Sequence, residues 1–171
     1  MTASTQNPIS NKIDFALIIG VNNANPNGDP LNGNRPRTDF AGNGEITDVC
    51  LKRKIRDRLQ ESDENIFVQS DEKKTDGMTS LKNRAYDEEA GLGKNAFEAN
   101  KKENIEAKRD ETAKKACDKW FDVRAFGQVF AFKADTKGAD GVSIPIRGPV
   151  TIQSAFSLRP VDITSTQITK S

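Results

Sequence analysis

Residues 46–56 read ITDVCLKRKIR, a segment that combines a helix start with a run of basic residues. Thr47 suits the N-cap position, and Asp48 complements the helix dipole from the first turn. Apolar residues then recur at every fourth position, at 51, 55 and 59, as on the buried side of a helix. The segment therefore predicts a helix over 48–60.

A long loop, residues 22–44, precedes this helix and is crowded with Asn, Gly and Pro. Its segment 25–30 reads NPNGDP, a dense cluster of turn-forming residues. Long loops without periodicity are usually functional or disordered in compact domains. The lack of bulky side chains lets another molecule approach the backbone closely.

Five of the seven residues at 52–58 are basic, and Asp57 is the single acid among them. Ordinary surface helices interleave acids and bases, because oppositely charged neighbours stabilise the helix. Unpaired cations that directly follow a glycine-rich loop favour an anion-binding face. A plain solvated helix face is the alternative.

Three segments outside this unit have strand patterns. Residues 14–21 are a compact, branched apolar run, which predicts a buried central strand. In residues 120–132 large apolar side chains recur at every second position, which predicts a second strand with a bulge at Gly127. The phenylalanines of this strand are expected in the core. After a polar hairpin loop at 133–141, residues 143–158 predict the returning strand, with two prolines that confine its first part to an edge or a bulge.

The middle of the chain, residues 60–119, has the composition of a solvated insertion. It carries 12 basic and 15 acidic residues, a balance of −3, whereas the rest carries 14 and 10, a balance of +4. It is also poor in large apolar residues. We therefore expect a charged, partly helical segment whose best helix lies over 100–119.

Composition excludes several kinds of chemistry. The 171 residues contain no histidine, so a Ser-His-Asp site, a Cys-His site and a histidine-ligated zinc are all excluded. Cys50 and Cys117 lie far apart and form no CxxC motif, so we expect two reduced, buried thiols. The chain has neither a signal-peptide pattern nor an apolar run of membrane-spanning length, so we expect a soluble, cytoplasmic protein without cofactor or metal.

The predicted elements follow in the order strand, long loop, basic helix, insertion and two strands. This order predicts an α+β fold that corresponds to the first part of a ferredoxin-like fold. The second helix and the fourth strand of that fold are missing. A three-stranded sheet with one packed helix leaves part of one sheet face uncovered.

The basic residues and the loop fit two functions, nucleic-acid binding and catalysis by the loop acids. Single-stranded nucleic acid needs a basic track, which the helix, Arg35 and Arg37 in the loop, Arg124 and Arg147 can supply. Arg124 can instead form an internal ion pair with Asp122 or Asp48, and Arg147 can cap a strand end. A third class, a protein-interaction module, would use the mixed-charge insertion.

An enzymatic function would depend on the loop acids. Asp29 can help to hold Mg²⁺ at a phosphodiester, although an acid before Pro30 is also a common turn former. The chain contains neither GxxxxGK[ST] nor a GxGxxG after its first strand, so nucleotide hydrolysis is disfavoured.

Four blocks of the sequence, in order, resemble the RNA-binding backbone subunit of the type I-C CRISPR surveillance complex, Cascade. They are NPNGDP at 25–30, ITDVCLKRKIR at 46–56, WFDVRAFG at 120–127 and IRGPVTIQ at 146–153. The resemblance covers about residues 13–168. The segment 60–119 carries little of it.

The resemblance implies an RRM-like palm with finger-like insertions. It implies a non-catalytic subunit of antiviral defence that polymerises head-to-tail as a filament along one guide RNA (crRNA), beside other Cascade subunits. The protein would hold the RNA backbone and leave the bases free to pair with target DNA. In these terms 1–12 is a flexible N-terminus, 13–60 and 120–168 are the palm and 61–119 is the insertion, and the chain stops where the family's thumb begins.

The resemblance also assigns functional residues. It places RNA contacts at the helix start and on its basic side, at Thr47, Lys52, Arg53 and Arg56. We extend this set, beyond the helix, to Arg37, Arg124, Arg147 and the loop residue Asn25. In related backbone subunits an acid in the loop after the first strand cuts target RNA, so a metal-dependent endoribonuclease that uses Asp29 is the alternative function.

Overall fold

A computed structural model of the chain describes residues 9–100, 104–137 and 139–167. Within these ranges the fold is mixed α/β, as expected. The helices are α1 (Asp48–Glu61), α2 (Leu81–Tyr86), α3 (Ile105–Lys119) and α4 (Phe121–Phe126). The strands are β1 (Gly28–Asp29), β2 (Arg35–Pro36), β3 (Asn43–Ile46), β4 (Glu98–Ala99), β5 (Gly127–Phe130), β6 (Asp140–Gly141), β7 (Ile144–Arg147) and β8 (Ala155–Pro160).

The described strands form four separate antiparallel pairs, β1–β2, β3–β8, β4–β6 and β5–β7. The predicted three-stranded sheet is therefore not found in this part of the chain. The helices in the described ranges all lack the length and apolarity needed to span a bilayer. Of the predicted flexible N-terminus, 1–12, residues 1–8 lie outside the described residues, as does residue 168 at the end of the predicted palm.

The prediction of a buried central strand at 14–21 is wrong. All residues from 9 to 25 are exposed, and Phe15 and Ile18 keep 62% and 94% of their surface in contact with solvent. None of the described strands pairs with this segment. A strand requires a neighbour for its backbone N–H and C=O groups, and an apolar run does not itself specify that neighbour.

Helix α1 confirms the predicted helix, one residue longer at its end. The N–H of Cys50 donates to Thr47 Oγ1 at 3.2 Å, which confirms Thr47 as the N-cap. Leu51 is buried, while the later apolar positions 55 and 59 are only partly buried. The helix thus begins where its sequence signals place it.

Strand β3 leads directly into α1 and is held by a distant part of the chain. In the β3–β8 pair, Glu45 lies opposite Phe156. The N–H of Gly44 donates to Ser157 Oγ at 2.9 Å, and the N–H of Asp48 donates to Ser154 Oγ at 3.2 Å. The end of the chain therefore supports the start of α1.

The prediction of one strand over 120–132 is wrong in its first half, because residues 121–126 form α4. An acid in the first turn favours the helix N-terminus, and Gly127, with φ +80°, ends the helix where a bulge was expected. A helix in this position lets the buried Asp122 carboxylate accept the backbone N–H groups of Phe67 (2.7 Å) and Val68 (3.1 Å). The strand pattern holds only in β5.

The predicted returning strand, 143–158, is interrupted. Strand β7 pairs with β5, as expected for the predicted hairpin, although the end of the predicted loop forms β6 and pairs with β4. Strand β8 pairs with β3 instead. Between β7 and β8, Gly148 passes so close to α4 that a Cβ atom there would lie 2.2 Å from the Ala125 carbonyl oxygen. The predicted strand is therefore divided at Gly148 into two strands, and each pairs with a different strand.

The predicted helix over 100–119 is found as α3, which begins at Ile105 after the N-cap Asn104; residues 101–103 lie outside the described residues. Half of the main core comes from the segment predicted to be a solvated insertion. Phe67, for example, lies 4.7 Å from Trp120 and 5.0 Å from Phe130 between ring centroids. The buried residues of this core are Phe67, Ala85, Phe97, Ala99, Ala116, Trp120, Val123, Phe130, Val142 and Ile144. The division into palm and insertion stays a prediction.

Candidate nucleic-acid interface

A cleft of about 340 Å³ separates the Asn-rich loop from one face of α1. Loop residues form one wall, and the helix forms the other. The lining residues are Asn25, Pro26, Asn27, Gly28, Asn34, Cys50, Arg53, Lys54 and Asp57. The four helical members have the spacing i, i+3, i+4 and i+7, so they share a single face of α1.

The loop is fixed to the start of α1 by hydrogen bonds. Asn27 Oδ1 accepts from both the backbone N–H of Thr47 (2.9 Å) and the hydroxyl of Thr47 (3.0 Å). The Cys50 thiol donates to the Pro26 carbonyl oxygen at 3.5 Å. The N–H of Arg37 donates to the Asn27 carbonyl oxygen at 3.0 Å. Residues 26 and 27 therefore rest on the first turn of the helix.

The loop wall is itself a small hairpin, β1–β2. Asn25 Nδ2 donates to the Asn34 carbonyl oxygen at 2.7 Å, and the N–H of Asn34 donates to the Asp29 carbonyl oxygen at 2.8 Å. Gly28 has no room for a side chain, because a Cβ atom there would lie 1.9 Å from Asn34 Oδ1. The amide groups of Asn25 and Asn34 thus border the cleft in fixed positions.

Arg53 and Lys54 supply the positive charge on the helical wall. The Arg53 side chain is 59% exposed and makes two long ion pairs, with Glu72 at 3.5 Å and with Asp57 at 3.9 Å. The pair with Glu72 is exposed at both ends, so it contributes little free energy and exchanges readily; the Asp57 carboxylate is partly buried, but its contact with Arg53 is long. Lys54 is exposed and has no ion-pair partner among the described residues. Both cations can therefore bind an external anion.

Two other predicted contact residues of α1 already have partners. Lys52 Nζ lies 3.1 Å from Asp48 Oδ2. Arg56 is 15% exposed; its Nε lies 2.9 Å from Asp122 Oδ2, and its guanidinium lies 5.2 Å from the Phe126 ring centroid. The structure thus gives Arg56 a role in packing α1 against α4.

Asp29 holds the turn of the loop. Its Oδ1 accepts the N–H of Leu31 at 3.1 Å, which caps the short 3₁₀ turn Pro30–Asn32, and it lies 3.7 Å from Arg37 Nη1. The described residues contain no group of three or more His, Cys, Asp or Glu side chains that could hold a metal ion. This geometry fits the turn-forming role of Asp29.

Hydrogen bonds and burial also set the ionisation of groups near the site. Hydrogen bonds from Asn43 lower the pKa of Asp39, at the end of the loop. Hydrogen bonds from Lys73 and Arg58 lower the pKa of Glu61, at the end of α1, to about 2. Both carboxylates are therefore ionised at neutral pH. Both cysteines are free thiols and only partly buried.

Comparison with known proteins identifies the family. Residues 11–171 match the family model described as CRISPR-associated protein Cas7. The chain belongs to the Cas7 family. It is 32% identical over 162 residues to a protein named CRISPR-associated protein Cas7 from Haloferax volcanii, and the match covers 89% of this chain and 44% of that protein. The chain therefore spans less than half the length of this Cas7 relative.

This Cas7 family chain brings some of its predicted site residues together and leaves others apart. Asn25 and Arg53 line the cleft, and Thr47 and Arg37 hold its loop. The more distant predicted residues do not line it. Arg124 donates from Nη1 to the Cys117 carbonyl oxygen (3.1 Å) and lies over the Phe121 ring, rather than pairing with Asp122 or Asp48, and Arg147 is exposed on β7.

Lys54 lines the cleft, although the sequence analysis did not include it among the RNA contacts. Arg53 and Lys54 lie three and four positions after Cys50 and one turn before Asp57, so a helical projection centred on Cys50 groups the two cations on one face. The type I-C assignment and the RNA contacts themselves stay predictions.

Proposed function

We propose that this chain is part of a non-catalytic backbone subunit of a type I-C CRISPR effector and that it binds guide RNA at the cleft between the loop and α1. The observation that carries the proposal is the juxtaposition of Arg53 and Lys54 with a fixed loop of amide groups, in a chain of the Cas7 family. In this proposal α1 and β3–β8 belong to an RRM-like palm.

The chemistry of the cleft suits phosphate and ribose rather than bases. Two cations can neutralise phosphates, and amide groups can donate to phosphate or hydroxyl oxygens. None of the nine lining residues is aromatic, so the cleft offers no aromatic platform on which a base could stack. Binding would then depend little on RNA sequence.

Such binding fits a guide-directed effector. A protein that holds only the backbone leaves the bases available, so base pairing with target DNA can supply the sequence recognition. We propose that several copies bind head-to-tail along one guide RNA in the cytoplasm, together with other subunits of the complex. Arg124 and Arg147 would contact RNA outside the cleft.

The proposal is tested by removing the two cleft charges. The variant Arg53→Gln/Lys54→Gln is compared with Arg58→Gln/Lys114→Gln, which removes two exposed charges that do not line the cleft. The affinity for a labelled, unstructured single-stranded RNA is measured across a salt series. Each lost phosphate contact on a single strand reduces the magnitude of the slope of log affinity against log salt by about 0.7. The slope of the cleft variant should therefore be shallower by about 1.4.

The control variant should keep the wild-type slope. Equal slopes for the two variants would contradict the assignment of the cleft. Purification free of nucleic acid, with no RNA binding by the wild type, would favour a protein-interaction module instead.

A further inference from the structure

We infer that Asn27 is a positioning residue for RNA binding, and that it acts with Thr47 as a pair that holds the loop wall of the cleft. The inference rests on the proposed RNA-binding function and adds a role for a residue that the sequence analysis did not single out. It also changes the expected role of Thr47, from an RNA contact to the partner of Asn27.

The direction of each hydrogen bond in the pair is fixed by chemistry. The backbone N–H of Thr47 can only donate, so the atom that faces it at 2.9 Å is the oxygen of the Asn27 side-chain amide, Oδ1. That oxygen can only accept, so the Thr47 hydroxyl at 3.0 Å donates its proton to it. The N–H of Cys50 then donates to the same hydroxyl.

This arrangement uses the only proton of the Thr47 hydroxyl. A phosphate oxygen accepts hydrogen bonds and offers no donor, so Thr47 cannot donate to RNA while the pair is intact. The pair is an internal structural contact between the loop and the helix N-cap. An effect of Thr47 on RNA must therefore pass through the residues that the pair positions.

Those residues are the neighbours of Asn27 in the loop. Asn25 and Gly28 line the cleft on either side of Asn27, and the Asn27 backbone carbonyl also receives the N–H of Arg37. The side chain of Asn27 supplies two of the loop's hydrogen bonds to the start of α1, and Cys50 supplies a weaker one to Pro26. Without Asn27, the loop would have to be ordered when RNA binds, and that conformational entropy would weaken the affinity.

The experiment combines single and double variants of the pair. Dissociation constants for a labelled oligouridylate are measured for Asn27→Ala, Thr47→Val, the double variant and Thr47→Ser. Binding should weaken about fivefold in Thr47→Val, which removes one hydrogen bond of the pair, and about 25-fold in Asn27→Ala, which removes both. The double variant should be no weaker than the weaker single variant, and Thr47→Ser, which keeps the hydroxyl, should bind as the wild type does.

The matched control is Asn22→Ala, in the same loop. Asn22 is exposed, and its side chain makes no hydrogen bond to the described residues, so this variant should bind as the wild type does. Hydrogen–deuterium exchange of the RNA-free protein provides a second measurement. Asn27→Ala should raise exchange across residues 22–44 and leave α3 unchanged.

Each result has a definite meaning. Wild-type affinity in Asn27→Ala, with RNA binding intact, would overturn the positioning role alone. Multiplied losses in the double variant would also overturn it, because they would show that the two residues act independently. Increased exchange throughout α3 would show general destabilisation instead and contradict the inference. Failure of the wild type to bind RNA would refute the proposed function itself.

Discussion

Replacement of Asp122 by alanine should remove a large part of the stability of the fold. The Asp122 side chain is 1% exposed. One of its oxygens accepts from Phe67 N, and the other accepts from Arg56 Nε and Val68 N. The alanine variant leaves a cation and backbone donors without their acceptor, and no nearby group replaces it.

The magnitude follows from the burial of each orphaned group. Loss of one partner of a buried ion pair costs about 3–5 kcal/mol, and the lower end applies because Arg56 keeps 15% exposure. The buried N–H of Phe67 adds about 1 kcal/mol, whereas the half-buried N–H of Val68 can reach water. The total is about 4 kcal/mol, against a typical unfolding free energy of about 5–15 kcal/mol.

Urea unfolding provides the assay, because Trp120 is the sole tryptophan, is buried, and packs 4.7 Å from Phe67. With a slope of about 2 kcal/mol/M, the midpoint for Asp122→Ala should fall by about 2 M. The Asp122→Asn variant keeps one oxygen acceptor, so its urea midpoint should fall by about half as much. The control Asp118→Ala, at an exposed position of α3, should shift the midpoint by less than about 0.25 M. A shift in Asp122→Ala no larger than that of the control would refute the role assigned to this carboxylate.

Three further predictions concern separate parts of the chain. RNA incubated with Mg²⁺ should stay intact with the wild type and with Asp29→Ala; products formed by the wild type and lost in the variant would establish the ribonuclease alternative. Burial, reinforced by the carboxylates of Glu98 and Asp135, raises the pKa of Tyr86 to about 12. Because this exceeds the ordinary value of about 10, the folded state holds the proton more tightly, so stability should fall as the pH rises from about 10 to about 12. Absorbance of tyrosinate, from this sole tyrosine, should titrate near the higher value, and a midpoint near 10 would contradict the prediction. Gly127→Ala forces a side chain onto φ +80° and places Cβ 2.4 Å from a carbonyl oxygen, so thermal melting should show a loss of about 3 kcal/mol. Gly20→Ala, with nothing within 4 Å, should be neutral.

Local signals allowed α1 and α3, the two longest helices of the described residues, to be predicted. The cap at Thr47 and the apolar stripe that begins at Leu51 lie within one short segment, and they located α1 to within one residue. The charge pattern of residues 100–119 located the end of α3, whereas the helix starts at Ile105. A helix is defined by interactions between residues three and four positions apart, so its own sequence carries most of the information.

Contacts between residues far apart in the sequence could not be predicted from such local signals. Residues 120–126 have the aromatic and branched composition of a strand, yet Asp122 reaches Arg56, Phe67 and Val68, which lie 54 to 66 positions away. These contacts fit a helix. The apolar run at 14–21 predicted burial but contains no information about which strand would pair with it.

The candidate site was predictable in kind and only partly in detail. The loop and the basic helix could be found in the sequence, because glycine, proline and clustered charge are local features. Which helix face meets the loop depends on the contact between Asn27 and Thr47, which are 20 positions apart. Without that contact Lys54 could not be separated from the other basic residues, and Arg56 could not be recognised as partly buried.

The pairing of β3 with β8 also sets an order of events during synthesis. Gly44 and its partner Ser157 are separated by 113 positions. At about 5–20 residues per second, the ribosome needs roughly 6–23 seconds to add the second after the first. During that interval β3 lacks β8 and keeps only its local bridge between Gly44 and Thr38, and α1 lacks the hydrogen bond from Asp48 to Ser154. The scaffold under the cleft is therefore completed only after residues 154–157 have emerged, so the proposed capture of a guide by the finished cleft would follow synthesis of that segment.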